Sequence, residues 1–133
     1  MEFKTNKFNV RYYETDQMGF VHHSNYLKYF EKARIEWLDS VGLSYSKIEK
    51  SGVILPVVKA NIKFIHPLFF GDTLEILLNV NLPPTVKLNF DYTIFNQDQK
   101  KIATGNTTIA FLDSDLRKPI RCPREISEKI SGI

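Results

Sequence analysis

The stretch Ser24-Asn25-Tyr26-Leu27-Lys28-Tyr29-Phe30-Glu31-Lys32-Ala33-Arg34-Ile35-Glu36-Trp37-Leu38-Asp39-Ser40-Val41-Gly42 decides how the rest of the chain is read. Tyr26, Leu27, Phe30, Ala33, Arg34, Trp37, Leu38 and Val41 recur at spacings of three and four, with Lys28, Glu31, Lys32 and Asp39 mostly between them. That period belongs to an amphipathic helix with a broad apolar face. Ser24 or a near neighbour is a candidate N-cap, and Gly42 takes the left-handed conformation that stops a helix cheaply. The spacing predicts one long helix over about residues 24–41.

Outward from this helix the period falls to two. Upstream, Phe8, Val10 and Tyr12 alternate with Lys7, Asn9 and Arg11, as in a half-buried strand over 7–12. Downstream, a polar stretch at 44–52 with room for a helical turn ends at Gly52. Strand patterns follow: Val58 to Phe64, Leu74 to Val80, Val86 to Ile94, and a threonine-rich run from Lys101 to Leu112. Pro67, Gly71-Asp72, Pro83-Pro84 and Asn96-Gln97-Asp98-Gln99 punctuate them. Residues 123–130 read as a short terminal helix with Pro123 at its first position. Short links between strands imply antiparallel hairpins. One helix covers one face of such a sheet, so the expected class is α+β, with five antiparallel strands and the helix packed on them. The other face and the edges then invite pairing with a second chain.

The 133 residues suit one domain, 1–133. A net charge of +3 is mild and evenly spread, which fits an anionic ligand and argues against a nucleic-acid interface. Cys122 is the lone cysteine, so the chain holds no internal disulfide and no cysteine-based zinc site. No secretory signal pattern and no apolar run of about 20 residues is present. The expected location is therefore cytoplasmic.

The residues with most chemical potential lie between the first strand and the long helix, in Tyr12-Tyr13-Glu14-Thr15-Asp16-Gln17-Met18-Gly19-Phe20-Val21-His22-His23-Ser24-Asn25-Tyr26. The start of a helix offers unpaired N–H groups that can polarise a carbonyl and stabilise an oxyanion. Asp16, just upstream, could reach the same carbonyl carbon as nucleophile or as base for a water. The plainer reading of Asp16 is a turn aspartate that bonds the backbone. His22 and His23 make a poor metal pair, since adjacent side chains diverge and His66 is remote in sequence; the expected metal site is none. His66 before Pro67 reads as a strand end, and Glu31 with Arg34 as a surface ion pair. Lys87, Arg117, Lys118, Arg121 and Arg124 read as solvated surface unless the ligand carries phosphates.

The run from Val10 to Tyr26, continued by Tyr29-Phe30-Glu31-Lys32-Ala33-Arg34, Leu55-Pro56-Val57-Val58 and the Pro67…Gly71-Asp72 turn, resembles the signature of the 4-hydroxybenzoyl-CoA thioesterase family, in its YbgC-like branch. The likeness extends over about residues 5–112. It implies a hotdog fold, a five-stranded antiparallel sheet wrapped around the long helix. It also implies homodimers that pair into homotetramers, with active sites at the dimer interface. The implied activity is hydrolysis of an acyl-CoA or aryl-CoA thioester with no cofactor, coenzyme A being part of the substrate.

On this resemblance Asp16 stands at the catalytic carboxylate. His23 supplies the backbone N–H aimed at the thioester carbonyl, with its side chain and Tyr12 also implicated. Gly19 matches the glycine that lets the loop pass closely. Lys87, Lys118 and Arg121 become candidates for the coenzyme's phosphates, some of them from an opposing subunit. His22 and Met18 depart from the branch, which commonly has tyrosine and a small residue there, and both bear on the acyl pocket. The alternative to an enzyme is a hotdog protein that binds an acyl-CoA or acyl-carrier partner without hydrolysis. The residues leave short aliphatic, long aliphatic and aryl esters open.

Overall fold

The computed structural model describes residues 1–132. The long helix α1 spans Asn25–Ser40, within a residue or two of the period-based bounds. It is followed by α2, Tyr45–Lys50, whose N-cap Ser44 accepts from the Lys47 amide at 3.2 Å. The main sheet is built from β4 (Val57–Phe64), β5 (Thr73–Asn81), β6 (Lys87–Asn96) and β7 (Lys101–Ala110), all antiparallel. Two short strands, β1 (Glu2–Lys4) and β2 (Phe8–Asn9), both pair with β5. The order across the sheet is β1-β5-β6-β7-β4, five positions wide, with β2 sharing the β1 edge. A small ladder joins β3 (Val53–Ile54) to β8 (Leu112–Asp113), and α3 (Arg124–Ile130) follows Pro123, which is the N-cap rather than the first helical residue.

The strand expected over 7–12 is shorter than its alternation suggests. Phe8 and Val10 do turn inward, but a 3-10 turn over Tyr12–Glu14 interrupts the period and leaves Tyr12 76% exposed. The missed β1 completes the edge: its three residues show too little alternation to be recognised without the neighbouring β5.

The inner face of the sheet is apolar because period two meets period 3.6. Leu74, Ile76, Leu78 and Val80 of β5 and Leu88, Phe90, Tyr92 and Ile94 of β6 are buried beneath Phe30, Ala33, Trp37 and Leu38 of α1. The closest approach is at Gly105 of β7. A Cβ built there would run into the Phe30 ring and lie 3.0 Å from the Asn61 carbonyl oxygen. The missing side chain lets Phe30 stack on Tyr92, with centroids 4.1 Å apart and planes at 13°.

Arg34 is not in a surface ion pair with Glu31. It is 6% exposed and donates from Nη1 to the Tyr92 hydroxyl at 2.9 Å, and that hydroxyl shares a hydrogen bond with Thr107 Oγ1 at 2.5 Å. The helical period counted Arg34 with the apolar face, and its side chain follows that face into the core.

β4 differs from its neighbours. It forms one edge of the sheet, and α1 covers its apolar face only in part: Phe64 meets Tyr26 at 5.0 Å between centroids, yet Val58 is 52% and Phe64 54% exposed. No helix among the described residues is long and apolar enough to cross a membrane.

Two outcomes follow from this packing. Gly105→Ala should lower stability by about 1–3 kcal/mol, the usual cost of overpacking a core; urea titration followed by circular dichroism measures it. Cys122 is buried, which pushes its thiol up to about 11. At pH 8 about one thiol in a thousand is then thiolate, so a disulfide reagent should label native protein far more slowly than urea-unfolded protein. The native rate should climb about tenfold per pH unit until the thiol titrates.

Candidate active site

Glu14 organises the connection between the first strands and α1. Its carboxylate accepts from the Arg11 amide at 2.7 Å and from the Tyr29 hydroxyl at 3.0 Å. Its carbonyl accepts from the His22 amide and from Asn25 Nδ2, both at 2.8 Å. The loop between is thereby cinched, with Thr15 and Val21 forming an isolated bridge at its neck. Burial and the neighbouring Glu14 carboxylate raise the pKa of Tyr29, so its phenol stays a neutral donor to that carboxylate. The contacts of Glu14 with Asn25 and Tyr29 were not visible in the sequence, because their partners lie 11 and 15 residues away.

Within the loop, Asp16–Gly19 is a tight turn: the Gly19 amide donates to the Asp16 carbonyl at 3.0 Å and the Asp16 amide to the Phe20 carbonyl at 2.8 Å. Gly19 sits at φ +85°, where a side chain is strained. A Cβ there would meet nothing within 4 Å, so the glycine serves the backbone conformation and not a close passage of the loop. Asp16 does what a turn aspartate does: its Oδ1 accepts from the Met18 and Phe20 amides at 2.9 and 3.3 Å. Only that oxygen is engaged. Asp16 also lines a cavity of about 300 Å³.

The same cavity is lined by His23, Tyr26, Phe20 and Met18, and across from them by Phe64, Ile65, His66 and Pro67 at the end of β4. The Phe20–Phe69 bridge and the Val21 amide, which donates to the Leu68 carbonyl at 2.8 Å, hold the two walls together. At the helix start, the Asn25 and Tyr26 amides are taken by the His22 and His23 carbonyls. The His23 amide has no acceptor among the described residues. Ser24 does not cap with its side chain; its Oγ lies 2.9 Å from His22 Nδ1. His22 stacks on His23 with ring centroids 4.1 Å apart but does not line the cavity. Among the described residues no group of three or more histidine, cysteine or acidic side chains forms a metal site.

The structure thus brings Asp16 and His23 to one cavity, with Gly19 in the turn beneath. Tyr12 is elsewhere: the 3-10 turn sends its ring outward against Phe70, at 5.4 Å between centroids. Lys87, Lys118 and Arg121 are also distant. Lys87 pairs with Ala110, level with the Val57 end of β4, and Lys118 and Arg121 follow the same end of the sheet. The cavity is at the Phe64 end, about 23 Å along the strand. His66 and Tyr26, which the sequence reading placed at a strand end and in the core, are in the cavity wall.

Residues 10–130 match the family model of the thioesterase-like superfamily. This chain belongs to that superfamily. It is a hotdog-fold protein of the thioester hydrolase class. A protein of Aquifex aeolicus is 37% identical over 119 residues, covering 90% of this chain and 91% of that one. The chloroplastic acyl-acyl carrier protein thioesterase ATL3 of Arabidopsis thaliana is 31% identical, over 96% of this chain and 67% of its own. Among solved structures, the DHNA-CoA thioesterase of Staphylococcus aureus superposes with a TM-score of 0.89 at 31% identity, covering 98% of this chain and 91% of that one.

Asn25→Ala should remove the clamp on the Glu14 carbonyl. A stability loss of about 1–3 kcal/mol is expected for the unsatisfied acceptor. Turnover on any ester the hotdog site accepts should also fall, because the loosened loop carries both Asp16 and part of the cavity wall; steady-state kinetics measures the loss.

Proposed function

We propose that the chain hydrolyses a coenzyme A thioester to the free acid and CoA, using its own side chains and backbone, with the coenzyme entering as part of the substrate. The motif from Asp16 to Tyr26 supports a place in the YbgC-like branch of the 4-hydroxybenzoyl-CoA thioesterases. The observation that carries the mechanism is the pairing of a half-tethered carboxylate with an unpaired amide at one cavity.

In this reading the thioester carbonyl oxygen accepts from the His23 amide, which holds the negative charge that develops there. Asp16 acts through Oδ2, either attacking the carbonyl carbon or taking a proton from a water that does so. By direct attack the C–S bond breaks to leave an acyl–Asp16 anhydride, which a water then hydrolyses to the free acid and the carboxylate; by the water route loss of the thiolate gives the acid at once. In both, the departing thiolate recovers a proton to leave as CoA. Oδ1, held by two amides, fixes the direction in which Oδ2 points, the kind of pre-orientation catalysis requires. The His23 imidazole flanks the same carbonyl from the cavity wall.

The working unit in this reading is a homodimer, or a tetramer of such dimers, made by pairing β4 edges. β4 is unpaired on one side, and Val58 and Phe64 on its apolar face are half exposed, features that monomeric sheets avoid. Antiparallel pairing about a two-fold axis would set the Val57 end of one strand beside the Phe64 end of the other. Lys87, Lys118 and Arg121 of one subunit would then approach the cavity of the next, where phosphates of a CoA ester need cations.

Asp16→Asn should cut kcat by about 100-fold or more with the fold intact, read by thiol release from a panel of aliphatic and aryl CoA esters. A fully active variant would overturn the mechanism. Single turnover in ¹⁸O-water distinguishes the two roles of Asp16: label found in its carboxylate means direct attack. Val58→Glu should shift the protein to monomer in light scattering and lose activity with it.

A further inference from the structure

Among the described residues Arg34 is the one charged side chain that is buried. A guanidinium stays protonated at any working pH, so the core holds a permanent positive charge. Its partners are neutral: Nη1 donates to the Tyr92 hydroxyl at 2.9 Å and reaches Thr107 Oγ1 at 3.5 Å, and the Tyr45 hydroxyl lies alongside. No carboxylate among the described residues forms an ion pair with it. Burying a charge without a counter-charge is costly.

Two donors at this place are also unpartnered. Arg34 Nε and Trp37 Nε1 are sealed from solvent and reach no acceptor among the described residues. The two residues are one turn apart on the inner face of α1, so their side chains are neighbours. Both line an enclosed cavity of about 10 Å³, room for one particle of about the size of water. Ile48 of α2, Phe90 of β6, and Ile126 and Ile130 of α3 close it. Apart from Tyr45, every other lining residue is apolar. The cavity shares no residue with the one at Asp16.

We propose that this second cavity is a binding site for a small monovalent anion of the chloride class, held by Arg34 Nε and Trp37 Nε1. A water would accept from both nitrogens but bring two O–H donors of its own, and among the lining side chains only the Tyr45 oxygen could take one of them. A halide accepts without donating, and its charge offsets that of the guanidinium. Phosphates and carboxylates are several atoms across and do not fit. Held there, the ion ties α1 to α2 and α3, since all three helices line the site. The inference does not depend on the hydrolase reading.

The test compares sodium chloride with sodium gluconate, whose anion is too large for the cavity, on the full chain after dialysis to equilibrium. Raising chloride from about 1 to about 100 mM at constant ionic strength should lift Tm by about 3 °C or more, as linkage requires of a ligand that binds only the folded state. Trp37→Phe, which removes the indole N–H, should shrink that rise. Arg34→Met, which removes the charge, should abolish it. Crystals of the unmutated chain grown in sodium bromide should show an anomalous peak between Arg34 Nε and Trp37 Nε1, a readout that stands even where a variant does not fold.

Equal Tm in chloride and gluconate overturns the inference, as does a chloride-dependent rise that Arg34→Met keeps. Density between the two nitrogens without a bromide signal marks a water and overturns it. A bromide peak without the chloride-dependent rise is an adventitious ion only, and overturns it as well.

Discussion

The contact between Phe30 of α1 and the bare backbone of Gly105 in β7 sets the distance between helix and sheet. With no side chain in the way, the Phe30 ring settles on Tyr92, and Arg34 reaches the Tyr92 hydroxyl one helical turn further on. Tertiary packing of this kind, more than helix propensity, holds a 16-residue helix in place. The seat of α1 also fixes where its first turn lies relative to the end of β4. The cavity is the space between those two ends, so its shape depends on a glycine on the far side of the core.

Above that frame, Glu14 ties the loop to the helix with both its backbone and its side chain. The consequence is a loop with little freedom near its chemically useful groups. Asp16 gives one carboxylate oxygen to the backbone of its own turn and also lines the cavity. The turn reading and the functional reading of this aspartate are therefore compatible. The His23 amide is free for a related reason: the neighbouring amides at the helix start already have acceptors, while His23 sits where the chain turns into the helix.

Lys87, Lys118 and Arg121 lie at the opposite end of β4 from the cavity within one chain. In the proposed reading a CoA ester, which joins an apolar acyl group to a polyanionic nucleotide, draws on both ends. The unpaired β4 edge lies between the two ends. A two-fold operation on that edge is the simplest way to bring opposite ends together, and it covers apolar side chains that are otherwise left to water.

The sequence by itself determined the elements whose period is long and clean. α1, β5 and β6 follow from residues that repeat at 3.6 or 2, because burial of one face imposes that repeat. It also determined where the chemistry-bearing residues cluster, since Asp16, Gly19 and His23 are close in the chain and the strand-to-helix junction is local. Tertiary structure decided the rest, for the reason that each remaining feature is a contact between distant segments. Alternation carried Tyr12 inward, whereas the Glu14 carboxylate, accepting from the Arg11 amide, closes a turn that directs it out. Spacing left Arg34 free to sit on the surface, whereas the Tyr92 hydroxyl holds it in the core. Gly19 is needed for its backbone angle, and only coordinates distinguish that from close approach. His66 and Tyr26 share a cavity because β4 ends beside the start of α1, a proximity that a separation of 40 positions conceals from any sequence pattern.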